Sequence, residues 1–368
     1  MNAPPAATVA AAAIAGIRRL SALGLPGPEV IPPMLCRLHG AVASATNSFH
    51  WVDADGRPSG WFGEPPYPPE VARLSAELQH GTRGAPKLPT HRVFGSGRRA
   101  VRRTPLPPDF HDSEAYRRVW QPRGLHQALE AVVDDGRRPL GVLVLYRGPG
   151  DPDFAPEDLE TVSALLPLFA RACGGPPSYD GERAAASPPA FAVVGLGGEI
   201  RHAGADARLR LALALHPCLN HRSCGRGCAT ADAGVTAQLA SICAALPADP
   251  RQTTTLRLRS PWGAVHAARA AALQPVHGDG VPLVGVALEH EVPLPVAVDA
   301  ALERSALSPR QRELCLLLVA GGSYAALGER MGISEQTAIS YARVIFAKLG
   351  ARGREELLHR LLLAPRLA

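Results

Sequence analysis

Residues 307–357 read LSPRQRELCLLLVAGGSYAALGERMGISEQTAISYARVIFAKLGARGREEL. Ser308-Pro309-Arg310-Gln311 supplies a hydroxyl cap, a proline at the first helical position and a glutamine able to close a capping box, which predicts a helix from Pro309. Leu314, Leu317 and Leu318 share one face of it, and Gly321-Gly322 ends it after Ala320, where the backbone must tolerate positive φ. Ser323 caps a short second helix with Leu327 and Met331 turned inward. In Gly332-Ile333-Ser334, glycine turns the chain, isoleucine plugs the core and serine caps a third helix. Along that helix Ala338, Ala342, Ile345 and Leu349 recur at helical spacing and predict the buried stripe, so Gln336, Ile339, Ser340, Arg343 and Ala347 face the other way. A last helix, Arg354 to Leu363, carries Leu357, Leu358, Leu361 and Leu362. That is more apolar surface than a four-helix unit of this size hides, and part of it is expected to meet a partner subunit.

This stretch resembles, almost end to end, the LuxR or GerE type of helix-turn-helix domain, over about residues 305–365. The spacing from Leu307-Ser308-Pro309-Arg310 through Gly332-Ile333-Ser334 to Thr337 and Lys348-Leu349-Gly350 carries the resemblance. It implies that the third helix enters the major groove of double-stranded DNA. Ile339, Ser340 and Arg343 then face base edges with Gln336 beside them, and Thr337 with the Ser334 cap meets phosphate. Arg343 stands out, because a bidentate arginine on guanine is the commonest specific contact. The chain departs from the family where Ile339 replaces a basic residue and Tyr324-Ala325-Ala326 replaces polar ones. Fewer phosphate contacts are expected. The implied protein is a transcriptional regulator, not an enzyme, acting as a homodimer on a roughly palindromic operator with RNA polymerase as a partner.

The rest of the chain agrees with that class. Hydrophobic residues make up 46% and charged residues 20%, the balance of a soluble globular protein. The formal charge is +6, and residues 302–368 hold ten basic against six acidic side chains, the footprint that a phosphate backbone requires. No apolar run reaches the ~18 residues of a membrane span. The run Ala6 to Ala15 has no basic residue before Arg18, so it reads as a disordered N-terminus over 1–16 and not as an export signal. A cytoplasmic location is expected. Seven cysteines, an odd number, read as free thiols or ligands.

Proline clusters mark the expected joints, giving a multidomain α+β chain that ends in an all-α four-helix unit. Residues 17–175 form one block: two helices within Ile17 to Val42, a strand at Ser48 to Val52, another at Pro139 to Tyr146, and a helix from Pro156 to Cys173. This order resembles a GAF sensory domain. After a linker at 176–189, residues 190–291 show a strand at Ala190 to Leu196, a helix over Ala205 to Leu215 and strand-like runs at Thr253 to Leu258, Ala264 to Ala272 and Pro282 to His290. "VVGLGGEIRHAGADARLRLAL" resembles the opening of a PAS domain. A second linker, 292–304, leads to the terminal domain at 305–368. Trp51 and Trp61 read as core aromatics.

Lysine occurs only at Lys87 and Lys348, neither placed for a receiver domain, and no Gly-Lys-Ser/Thr of a phosphate loop is present. No nucleophile–base or paired-carboxylate signature supports an enzyme. A signalling adaptor whose tail binds only protein is the other alternative, and the small-molecule effector is unspecified. The densest unusual feature is Cys218, His221, Cys224 and Cys228, ligand types suited to Zn or an iron–sulfur cluster and open to a metal- or redox-responsive role. Against it, the C-x5-C-x3-C spacing is not that of a structural zinc knuckle. The arginines at 92, 98, 99, 102 and 103 read as a solvated loop.

Overall fold

A computed structural model describes residues 6–53, 58–64, 101–104, 106–215, 231–247, 249, 251–260, 263–275 and 281–363. Two antiparallel sheets, each with its own helices, precede a bundle of short helices.

The chain opens with helices α1 (Ala6–Ser21) and α2 (Gly27–Ala41). The expected disorder over 1–16 is therefore corrected from Ala6 onward. Alanine is the best helix former, and Ile14, Ile17 and Leu20 give the run an apolar stripe that packs into the first core. Small residues let the two helices close up: a Cβ added at Gly40 would stand 3.0 Å from that of Ala13.

Strands β1 (Thr46–Val52), β2 (Pro58–Glu64), β3 (Val101–Arg103), β4 (Gln127–Asp134) and β5 (Pro139–Arg147) form the first sheet in the order β2-β1-β5-β4-β3. Phe49 pairs with Leu143 and Leu129 with Leu145, so the period-two alternation sends Phe49, Leu129, Ala131, Val133, Leu143 and Leu145 to one face. There they meet α1, α2 and α3 (Pro156–Cys173). Ala128, Val132, Val142, Val144 and Tyr146 point the other way, against Phe110, Val119 and Trp120. One carboxylate breaks this second face. Glu130 is 1% exposed, neither oxygen has a hydrogen-bond partner, and its nearest cation is Arg102 at 3.8 Å. Burial pushes its carboxyl up to about 7, with Arg102 and the neighbouring Thr104 hydroxyl pulling the other way.

The segment expected as a linker at 176–189 contains β6 (Arg183–Ala185), which pairs with the last strand of the second sheet. It is held because Arg183 forms a buried ion pair of 2.7 Å with Glu29 of α2. Besides β6, the second sheet comprises β7 (Ala190–Gly195), β8 (Ile200–Ala203), β9 (Thr253–Arg259), β10 (Val265–Leu273) and β11 (Leu283–Pro293), ordered β8-β7-β11-β10-β9. Both sheets thus repeat one plan in which the fifth strand lies at the centre. Helices α4 (Ala207–Leu215) and α5 (Ala231–Ala244) cover one face of the second sheet through Leu211, Leu239 and Ile242.

Residues 292–304, expected as a linker, are instead mostly helix α6 (Leu294–Glu303), with Pro293 as its cap and Pro295 in its first turn. The prolines that suggest a joint in the sequence instead start a helix, a position for which their fixed φ is pre-organised. Helices α7 (Pro309–Ala320), α8 (Tyr324–Met331), α9 (Glu335–Leu349) and α10 (Arg354–Leu363) follow. Leu294, Val298 and Leu302 of α6 share a core with Leu314, Leu327, Ile345, Leu357 and Leu361. The apolar surplus of the last helix is therefore met inside the chain, and the homodimer no longer follows from it. The bundle has five helices where four were expected.

Candidate nucleic-acid interface

Helix α9 is presented by local capping that the sequence specifies. Ser308 Oγ accepts from the Gln311 amide at 3.4 Å and Gln311 Oε1 accepts from the Ser308 amide at 3.1 Å, closing the capping box of α7. Ser323 Oγ accepts from the Ala326 amide at 3.3 Å, starting α8. Gly332 adopts φ 64°, and the next amide, that of Ile333, donates to the Gly328 carbonyl at 2.9 Å. Ser334 Oγ accepts from the Thr337 amide at 3.1 Å and starts α9. At the far end Lys348 Nζ donates to Gln311 Oε1 at 3.1 Å and to the Ala306 carbonyl at 3.3 Å, so one of the two lysines locks α9 onto α7.

That frame fixes the rotation of α9. Ala338, Ala342 and Ile345 are buried. Gln336, Ser340 and Arg343 are exposed, Ile339 and Thr337 half-buried. Among the described residues no hydrogen bond or ion pair engages the side chains of Gln336, Ser340 or Arg343. Their donors and acceptors stand one and two turns apart on a rigid rod, the arrangement needed to meet base edges. Ser334 and Thr337 bond each other through their hydroxyls at 2.8 Å at the solvent-facing start of the rod.

Two residues of this unit escaped the sequence reading. Val344, 39% exposed, lies on the outward side beside Ser340 and Arg343 and offers an apolar contact of the kind that a thymine methyl takes. Its signal was a valine four positions after Ser340. Gly328 is buried where the turn crosses α8, and a Cβ there would stand 2.8 Å from the Ile333 carbonyl oxygen. Its signal was a glycine inside a helical pattern.

The four proposed metal ligands, Cys218, His221, Cys224 and Cys228, lie outside the described residues, as do Arg92, Arg98 and Arg99. Among the described residues no group of three His, Cys, Asp or Glu side chains could hold a metal ion. Cys243 packs into the second core with its Sγ 3.7 Å from the Gly195 carbonyl oxygen, and burial pushes its thiol up. Burial likewise raises Cys173 and Cys315 to about 12. Arg102 and Arg103 are not part of a free basic loop, since Arg103 pairs with Asp153 at 2.8 Å and β3 is a sheet edge. No described helix is long and apolar enough to cross a membrane.

Residues 305–361 match the family model of bacterial regulatory proteins, luxR family. Among solved structures, the chain is similar to VqmA of Vibrio cholerae in a ligand–DNA complex: 20% identity over 48% of this chain and 81% of that one, TM-score 0.20. The VqmA dimer of Vibrio cholerae without target DNA gives 17% identity over 48% and 82%, TM-score 0.18. A phage VqmA in complex with DPO gives 17% over 47% and 80%, TM-score 0.19. No curated protein matches the chain.

Proposed function

Residues 305–361 being a luxR-family regulatory domain, we propose that the protein is a sequence-specific transcriptional regulator whose helix α9 reads the major groove. One observation carries this: Gln336, Ser340 and Arg343 stand exposed and unengaged on the outward face of a helix whose opposite face is locked by Ala338, Ala342 and Ile345. Arg343 is the guanine reader, Ser340 and Ile339 flank it, and Ser334 with Thr337 meets phosphate. Binding in this reading is non-enzymatic, occurs in the cytoplasm and acts on RNA polymerase.

The two sheet domains are the sensory part, GAF-like at 17–175 and PAS-like at 190–291. Their common strand order supports this, as do buried polar side chains in each, Asn47 and Glu130 in the first and His266 in the second. In the second, His266 and His290 stack at 5.0 Å inside the sheet, and burial depresses their imidazoles to about 3 and about 4. The buried Nδ1 of His266 has no hydrogen-bond partner among the described residues and is open to one from a small effector.

The test is genome-wide mapping of bound sites followed by binding to a recovered site. Arg343→Ala is expected to weaken binding by about tenfold or more and to relax preference at one base pair, with the thermal melt unchanged. Intact operator binding by this variant would refute the reading and favour a tail that binds protein.

A further inference from the structure

The luxR-family domain is docked onto the N-terminal helices by buried charge. Asp299 of α6 is fully buried and accepts from Arg19 of α1 at 3.0 Å and from Arg37 of α2. Glu303 gathers Arg19 and Arg37 with Arg312 of α7, the last at 3.3 Å. Beside this clasp lies a cleft of about 660 Å³, walled by α1 and α3 on one side and by α7 and α8 on the other.

The charge on its walls is not balanced. Five arginines line it, and Glu313 is its single carboxylate. Arg19 is taken up by Asp299, and Arg310 by Glu313 at 3.0 Å. Arg18, Arg171 and Arg330 have no ion pair or side-chain hydrogen bond among the described residues. They come from three helices, α1, α3 and α8, so the fold and not local sequence brings them to one cleft. All three are exposed, so their charge is open to an anion that enters from solvent. The N-terminus of α7, with Pro309 on the wall, adds the positive end of a helix dipole. The remaining wall is apolar, formed by Leu23, Leu316 and Leu317.

We propose that this cleft binds a phosphorylated small molecule with a planar or apolar body. Its volume falls in the range of about 300–1,000 Å³ usual for small-molecule sites. Arginines offered by three separate helices suit the three acceptor oxygens of a phosphate better than the two of a carboxylate. The leucine wall takes the body. Such a ligand touches the sensory helices through Arg18 and Arg171 and the regulatory domain through Arg310 and Arg330, so it strengthens the docked arrangement. The regulatory consequence rests on the function proposed above; the site does not.

Calorimetry on the full-length protein without DNA tests it, with adenosine diphosphate as probe and inorganic pyrophosphate as the bare anion. Saturable one-to-one binding is expected, tighter for the nucleotide. Arg18→Glu and Arg171→Glu should each weaken it by about tenfold or more, and Arg18→Lys should restore part of the loss. Far-ultraviolet circular dichroism and thermal melts verify that each variant folds. The absence of saturable binding by either probe, or binding indifferent to both charge reversals, overturns the proposal. So does a loss of operator affinity in Arg18→Glu and Arg171→Glu without any probe binding, which would make the cleft a track for the DNA backbone. Arg343→Ala separates the two readings, because it should weaken operator binding by about tenfold or more and leave nucleotide binding intact.

Discussion

At the scale of single residues, two positions carry consequences that composition hides. Gly328 is required by close approach, since its missing Cβ would meet backbone and not a movable side chain. Gly328→Ala gains about 1 kcal/mol of helix propensity but loses about 1–3 kcal/mol to overpacking. A lower melting temperature is expected, and an unchanged or raised one would contradict the close packing of α8 under the turn. Glu130 is the opposite case, a charge with too little around it. Its folded carboxyl titrates at about 7 against an ordinary 4.5, so its contribution to stability is fully present below pH 4.5 and is lost as pH rises through 7. Glu130→Gln removes that loss. The variant should gain on the order of 2 kcal/mol over the parent at pH 8 and nearly nothing at pH 4.5, read from urea midpoints at both pH values. The exposed position of Arg343 was legible because it follows from a local repeat. Glu130 was not, because only the pairing of β4 with β3 and β5 shows what surrounds it.

Among elements, α6 changes the description of the regulatory domain most. Leu294, Val298 and Leu302 cover Leu357 and Leu361, which as part of an isolated four-helix unit would face water. Each such side chain contributes about 1.5–3 kcal/mol when buried. A fragment spanning 292–363 should therefore melt cooperatively at a higher temperature than one spanning 305–363, followed by circular dichroism. Equal melting temperatures would show that α6 is not part of this core. The capped helices α7, α8, α9 and α10 were readable in advance because caps, turns and stripes are determined within a few residues. β6 and α6 were read as linkers because their stabilising partners, Glu29 in one case and the far end of the bundle in the other, lie far away in sequence.

For the molecule as a whole, Asp299 ties the N-terminal helices to the luxR-family domain. Arg19, Arg37 and Asp299 come from three helices, and the carboxylate is fully buried. Asp299→Ala leaves two arginines around a vacated buried site, and a loss of about 3–5 kcal/mol in urea unfolding is expected. An effect below ~1 kcal/mol would mean that water already screens the cluster. The amino-acid sequence alone determined the identity of the terminal domain, the rotation of its third helix α9 and the helix-and-strand character of much of the rest. Each of these depends on interactions within about one turn or one hairpin. Tertiary structure alone decided that α1 is ordered, that α6 belongs to the core, that Glu130 is stranded and that Arg18, Arg171 and Arg330 share a cleft. Those outcomes arise from side chains tens to hundreds of residues apart meeting in space, where burial and Coulomb energy act on distance and not on order along the chain.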